Sequence, residues 1–311
     1  MQHKQYIIYL ILALGFFSAS AQKAEQLYLH HTDTINNVVR LWRTSGNSKL
    51  VVLLPPYGGD QNYYNASKMP LLLHTANIDF AVIYPGSVGY TGDEDIQRLD
   101  SLIVLVIKKY HYNPDGIIIG GFSAGGYGAM KYTMKKNKGE LNLSILPKAV
   151  FSVDAPLDME RWYMSLNLVR QRVDTSNMMY GEANYLVGMF NDLYGGPPAQ
   201  KMDAYRANSV VSVFLPDGGN AKYLKNIPVR LYTEPDIDWY IDNLNLDYLT
   251  INAIDQAALV SILKLQGNKN ASLVTTTGKG YRPELNNMRM PHAWQIVDEK
   301  ELADWIVKYI K

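Results

Sequence analysis

Gly121-Phe122-Ser123-Ala124-Gly125 sets one hydroxyl between two glycines in a G-x-S-x-G pentapeptide, with Gly126 directly behind it. A serine hydroxyl is a weak nucleophile and attacks an electrophile only when a positioned base takes its proton during the attack. The chain must therefore lift Ser123 clear of its surroundings and bring a base to it. The small residues at 121 and 125 suit the first requirement, because a sharp turn that strains the serine backbone also crowds the backbone on either side. Histidines are the first candidates for the base, and the chain has six: His3, His30, His31, His74, His111 and His292. His30 and His31 are adjacent in a strand-like run and point to opposite faces, so they cannot chelate a metal together. The absence of cysteine removes disulfides and thiolate metal sites. Gly58-Gly59, Gly195-Gly196 and Gly218-Gly219 lack the lysine and serine or threonine of a phosphate loop and read as turns. No metal and no cofactor are expected.

The segments around the pentapeptide are those that such a turn joins. Ile117-Ile118-Ile119 is a short continuous apolar run, the mark of a strand buried on both faces, and residues 126–136 read as a helix with apolar Met130, Tyr132 and Met134. Similar runs occur at residues 50–54, 80–84, 149–153, 229–233 and 272–277, and helical patterns separate them. Ile96, Leu99, Leu102, Ile103, Val106 and Ile107 repeat at helical spacing before Pro114, residues 254–265 do likewise, and Leu302, Trp305, Ile306 and Ile310 form a closing helix. Residues 27–31 and 38–43 make a plausible antiparallel hairpin at one sheet edge. The alternation predicts an α/β fold, a mostly parallel sheet with flanking helices. Between Val153 and Ile227 the rhythm fails: the stretch is rich in Met, Tyr and Asn and holds no convincing buried strand. A structureless loop of that length is improbable, so helices are expected over residues 158–172 and 183–194, as a cap at about residues 155–226 over the carboxyl edge of the sheet. Trp162, Tyr163, Tyr185 and Tyr194 within it either line a pocket or form the cap's own small core.

On these residues the chain resembles the α/β-hydrolase fold over nearly all of its length after the first 21 residues. The resemblance implies a nucleophile, an acid and a histidine in that chain order, with an oxyanion hole formed partly after an early strand. Ser123 takes the nucleophile position. The implied base is a histidine in a loop before the last helix, where His292 lies within Met290-Pro291-His292-Ala293-Trp294. The implied acid follows the strand after the cap, and residues 229–233 are followed by Glu234-Pro235-Asp236-Ile237-Asp238. Asp236 has the favoured offset, Asp238 is the near alternative and Glu234 the third. Some lipase-like relatives place the acid one strand earlier, which nominates Asp154. The implied oxyanion donors are the amides of Ala124 and, after the 50–54 strand, Tyr57. Pro55 and Pro56 stand where relatives have His-Gly and carry no N–H, so Tyr57 is the first possible donor, with Gly58 next.

Residues 121–126 and 56–60 look most like those of feruloyl and acetyl-xylan esterases and of esterase D. The resemblance implies a serine esterase acting through an acyl-enzyme, with acyl groups on carbohydrates a candidate substrate class. A serine peptidase of the same fold and an inactive binding protein are the alternatives. The composition is ordinary for a globular protein: among 311 residues 47% are hydrophobic and 19% charged, with net charge +1, so no global field recruits nucleic acid or an acidic membrane. Tyrosine is frequent, 23 residues against 7 phenylalanines, which gives amphipathic surface suited to ring-shaped polar ligands. Residues 1–21 read as a cleavable export signal: Lys4, an apolar stretch from Tyr6 to Phe17 too short to span a bilayer, then Ala19-Ser20-Ala21. The expected product begins at Gln22, forms one domain over residues 22–311, is periplasmic or secreted, and cannot be lipidated for want of a cysteine.

Overall fold

Strand β3 (Leu50–Leu54) is buried at every position, and its alternate residues divide between two cores. Leu50, Val52 and Leu54 join one apolar cluster, while Val51 and Leu53 join another on the opposite face. Such two-sided burial is why these strands lack polar alternation. The computed structural model describes residues 24–310 except 31, 45, 47, 87 and 88, together with every side chain among them except that of residue 284. The export signal expected at residues 1–21 lies outside the described residues.

Eight strands form one sheet. In chain order they are β1 (Glu25–Tyr28), β2 (Val38–Trp42), β3, β4 (Asp79–Tyr84), β5 (Ile117–Phe122), β6 (Ala149–Val153), β7 (Val229–Thr233) and β8 (Ala271–Thr275), and their spatial order is β1-β2-β4-β3-β5-β6-β7-β8. β1 pairs with β2, and β2 with β4, in antiparallel fashion; every pairing from β4 to β8 is parallel. The expected hairpin is thus the sheet edge, and β5, which leads into Ser123, lies in the middle.

Helices cover both faces. α1 (Met69–Thr75) and α9 (Glu299–Tyr309) pack on one, while α2 (Asp93–Tyr110), α3 (Ala124–Lys138) and α8 (Ala253–Leu265) pack on the other. Between β6 and β7 come α4 (Met159–Arg172), α5 (Met178–Tyr194) and α6 (Pro198–Asn208), which supply the helices expected in that stretch and one more. α7 (Ile237–Leu244) follows β7, and a small ribbon of β9 (Tyr281–Arg282) and β10 (Met288–Arg289) precedes α9. Ala183, Leu186, Val187, Phe190 and Tyr194 form the buried stripe of α5 at helical spacing. The start of α4 is anchored by a buried ion pair. Arg161 Nε and Nη2 donate to both carboxylate oxygens of Asp255 on α8, which also accepts the Leu157 amide at 2.8 Å. Among the described residues no helix is long and apolar enough to cross a membrane.

Candidate active site

β5 ends at Phe122, α3 begins at Ala124, and Ser123 turns the corner between them at φ 54°, ψ −123°. An L-residue held there costs on the order of 1–3 kcal/mol and persists only when its surroundings enforce it. The enforcement is visible around the glycines. A Cβ on Gly121 would lie 2.5 Å from the Leu54 carbonyl oxygen, and one on Gly125 only 2.0 Å from the same atom, with backbone that cannot yield. The Tyr64 hydroxyl ties the two strand ends: it donates to the Leu54 carbonyl at 2.8 Å and accepts from the Phe122 amide at 3.1 Å. The Ser123 amide donates to the Val153 carbonyl of β6 at 2.9 Å.

His292 reaches Ser123 from a loop after β10. Its Nε2 lies 3.0 Å from Ser123 Oγ, and its Nδ1 lies 2.6 Å from Asp154 Oδ2. The ring packs against Phe122 at a centroid distance of 4.8 Å, and Arg282 donates Nε and Nη2 to the His292 carbonyl at 3.2 and 2.9 Å. Asp154 follows β6 directly, is 3% exposed, and adopts φ 46°, which turns its carboxylate back across the sheet edge. Its amide donates to the Tyr232 carbonyl at 2.8 Å, its Oδ1 accepts from the Thr233 hydroxyl at 2.7 Å, and its carbonyl accepts from Asn252 at 2.9 Å. A carboxylate on Nδ1 favours the tautomer with its proton there, which leaves the Nε2 lone pair facing the serine hydroxyl.

The acid is the point at which the structure corrects the sequence. Asp154, and neither Asp236 nor Asp238, contacts His292. Asp236 caps α7 by accepting the Trp239 amide at 3.3 Å, and its Oδ2 accepts from Arg289 Nη2 at 2.6 Å. Asp238 is exposed in the first turn of α7, where a carboxylate interacts favourably with the helix dipole. Glu234 is 1% exposed, pairs with Arg289 at 2.6 Å, and accepts the amides of Lys279 and Gly280 at 2.9 and 3.1 Å. Through Arg289, which also donates to the Gly280 carbonyl at 2.7 Å, Glu234 and Asp236 hold the loop that carries His292. The reason is lateral position. β6 is the immediate neighbour of β5, whereas β7 lies one strand, about 4.8 Å, farther from the serine.

Two cavities meet at Ser123. One of about 150 Å³ is bounded by His292, Asp154 and mostly apolar side chains of α4, α5 and residues 240–252. The other, of about 70 Å³, is bounded by Tyr57, Ala124, Thr91, Trp162, Glu182 and Tyr185. Tyr57 and Ala124, whose amides are the expected oxyanion donors, therefore border one cavity with the serine. The Ala124 amide is the first of α3 and has no partner within the helix. Tyr57 sits in a turn closed by the Gly59 amide on the Pro56 carbonyl at 3.0 Å, with Gly58 at φ 75°. Its hydroxyl lies 3.2 Å from that of Tyr185, a contact that, with partial burial, pushes the phenol up to about 12. Of the four aromatics expected in the cap, Trp162 and Tyr185 line cavities, while Tyr163 and Tyr194 pack on Tyr205 within the same apolar cluster as Leu50, Val52 and Leu54 of β3. Tyr64, Thr233, Asn252 and Glu182 join the site without any sequence signal beyond their types. Among the described residues no group of three or more His, Asp or Glu side chains is placed to hold a metal ion.

No protein-family model and no curated protein matches the chain. Solved structures do resemble it. MPT51 (FbpC1) of Mycobacterium tuberculosis superposes with a TM-score of 0.60 at 14% identity, over 93% of this chain and 99% of that one. Carboxyl esterase 2 of the mycorrhizal fungus Tuber melanosporum gives 0.58 at 11% identity, over 94% and 90%. An esterase from the bacterial hormone-sensitive lipase family gives 0.57 at 15% identity, over 93% and 86%. At such identities the shared feature is architecture, and with its sheet order and its strained serine between β5 and α3 this chain has the α/β-hydrolase fold.

Proposed function

We propose that this chain is a serine hydrolase of carboxylic esters, exported by way of its first 21 residues. The observation that carries the reading is the relay from Asp154 through His292 to Ser123, with contacts of 2.6 and 3.0 Å. Ser123 Oγ attacks the acyl carbon while His292 Nε2 takes its proton, and Asp154 stabilises the imidazolium that forms. The carbonyl oxygen gains its charge beside the amides of Ala124 and Tyr57. His292 then gives the proton to the departing alcohol, leaving an acyl-serine. Water, deprotonated by the same histidine, attacks that ester, and collapse returns Ser123 and releases the carboxylic acid.

The 150 Å³ cavity supports small substituents, since a cavity of about that size holds benzene. The likeness of residues 121–126 and 56–60 to carbohydrate-directed esterases makes sugar-linked acyl groups the natural first panel. A fluorophosphonate probe is expected to label the wild-type protein and not Ser123→Ala, and p-nitrophenyl acetate, butyrate and benzoate are expected to outpace the palmitate. Folded wild-type protein that takes no label would point instead to a binding protein. Faster turnover of aminoacyl amides than of esters would make it a peptidase. Amino-terminal sequencing of the exported protein is expected to begin at Gln22.

A further inference from the structure

Four residues border both cavities at Ser123: the serine itself, Trp162, Leu186 and Glu182. Glu182 is the one that an ester hydrolase has no evident use for. It projects from the face of α5 that also presents Tyr185, Leu186 and Met189, at helical spacing. Neither cavity is lined by a lysine or an arginine, and among the described residues Glu182 has no hydrogen bond and no ion pair. The other carboxylates around the site are all answered: Asp154 by His292 and Thr233, Glu234 and Asp236 by Arg289, and Asp255 by Arg161.

An unanswered carboxylate here opposes the chemistry. Negative charge grows on the carbonyl oxygen in the transition state, and a nearby anion raises its energy unless a positive charge stands between or beside them. The surrounding rings suit such a charge. Trp162 borders both cavities, Tyr57 and Tyr185 border the smaller and Tyr240 the larger, and aromatic faces attract organic cations. Glu182 is near enough to Tyr57 to act on its phenol, as a contribution after the Tyr185 contact and desolvation.

We propose that Glu182, with Trp162 beside it, selects esters that carry an ammonium group within a side chain's reach of the scissile carbonyl. The proposal rests on the ester-hydrolase reading and names its substrate class. The ammonium could belong to the acyl part or to the alcohol, and two matched pairs separate these sources. Alanine p-nitrophenyl ester is compared with p-nitrophenyl isobutyrate, and acetylcholine with 3,3-dimethylbutyl acetate.

At low salt one cationic ester is expected to exceed its neutral partner by about tenfold in kcat/KM, and Glu182→Gln to remove most of that preference through KM. With neutral esters Glu182→Gln is expected to be no slower than wild type, because the charge that opposes the developing oxyanion is gone, and retained fluorophosphonate labelling of Ser123 shows that the variant folds. A preference that survives Glu182→Gln, or no preference in either pair, overturns the proposal. Calorimetric binding of phenyltrimethylammonium to Ser123→Ala gives a readout that needs no turnover. Binding is expected to weaken about fivefold or more when Glu182→Gln is added. Equal binding overturns the proposal, whereas Glu182-dependent binding to a protein whose wild type takes no fluorophosphonate refutes the hydrolase reading alone.

Discussion

Replacing Asp154 with asparagine keeps the shape of the side chain and removes its charge, at a position 3% exposed and hydrogen-bonded on both oxygens. If the amide oxygen stays on the Thr233 hydroxyl, its NH2 faces His292 Nδ1. The imidazole must then carry its proton on Nε2, pointing at Ser123, where it cannot accept one. If the amide turns over, the tautomer is right but the imidazolium that forms during attack has no counter-charge. Two unit charges about 4 Å apart at an effective dielectric of about 20 attract by about 4 kcal/mol, which alone corresponds to about 10³ in rate. The wrong tautomer takes the loss towards about 10⁴, the size of this effect in other Ser-His-Asp enzymes. Asp236→Asn is the control: its partner Arg289 retains Glu234 at 2.6 Å, so we predict a loss below about tenfold, from a looser His292 loop. Steady-state hydrolysis of p-nitrophenyl acetate, with circular dichroism to show that both variants fold, reads the difference. An Asp154→Asn protein within tenfold of wild type, or an Asp236→Asn protein damaged as badly as Ser123→Ala, would refute the reasoning.

Three further outcomes are expected. Tyr57 occupies the second position of its turn, where proline is tolerated, so Tyr57→Pro deletes the amide and keeps the bend; we predict a fall in kcat of about 10²–10³ for Tyr57→Pro against a few-fold at most for Tyr57→Phe, and a dead Tyr57→Phe protein would show that the hydroxyl matters instead. Lys131 is fully buried on α3, donating to the Thr91 carbonyl at 2.6 Å near Asp93, Asp95 and Lys135, and desolvation lowers it from 10.5 to about 7. The unfolded chain therefore binds the extra proton between these values, so wild-type stability to urea is expected to rise from about pH 7 to pH 9 relative to Lys131→Met, and parallel pH profiles would exclude this. Gly188 lies inside α5, and a Cβ at that position would meet nothing within 4 Å, so Gly188→Ala is expected to stabilise the protein by about 0.5–1 kcal/mol, read as a higher Tm; a lower Tm would mean that the glycine serves a motion or contact of α5.

The parts of this protein that could be read from the sequence are those whose physics is local. Ser123 announces itself because the strain at its backbone is met within five residues, and because the close approach of Leu54, though distant in the chain, admits only glycine at positions 121 and 125. The parallel strands show because burial on both faces leaves unbroken apolar runs. The helices between β6 and β7 could be expected because so long a stretch cannot lie structureless in a compact domain. His292 stood out by its place before the last helix. The acid did not, because Asp154, Glu234, Asp236 and Asp238 all follow strand ends and look alike in one dimension. The choice is a contact across 138 residues, made by which strand neighbours β5 and by Arg289 engaging the two acids one strand farther out. Glu182 belongs to the same class: an ordinary acid on a helix until the packing of α5 sets it, with no ion pair among the described residues, in the lining of the two cavities at the serine. Short-range sterics are written into neighbouring letters, whereas the pairing of charges depends on which distant segments come to lie side by side.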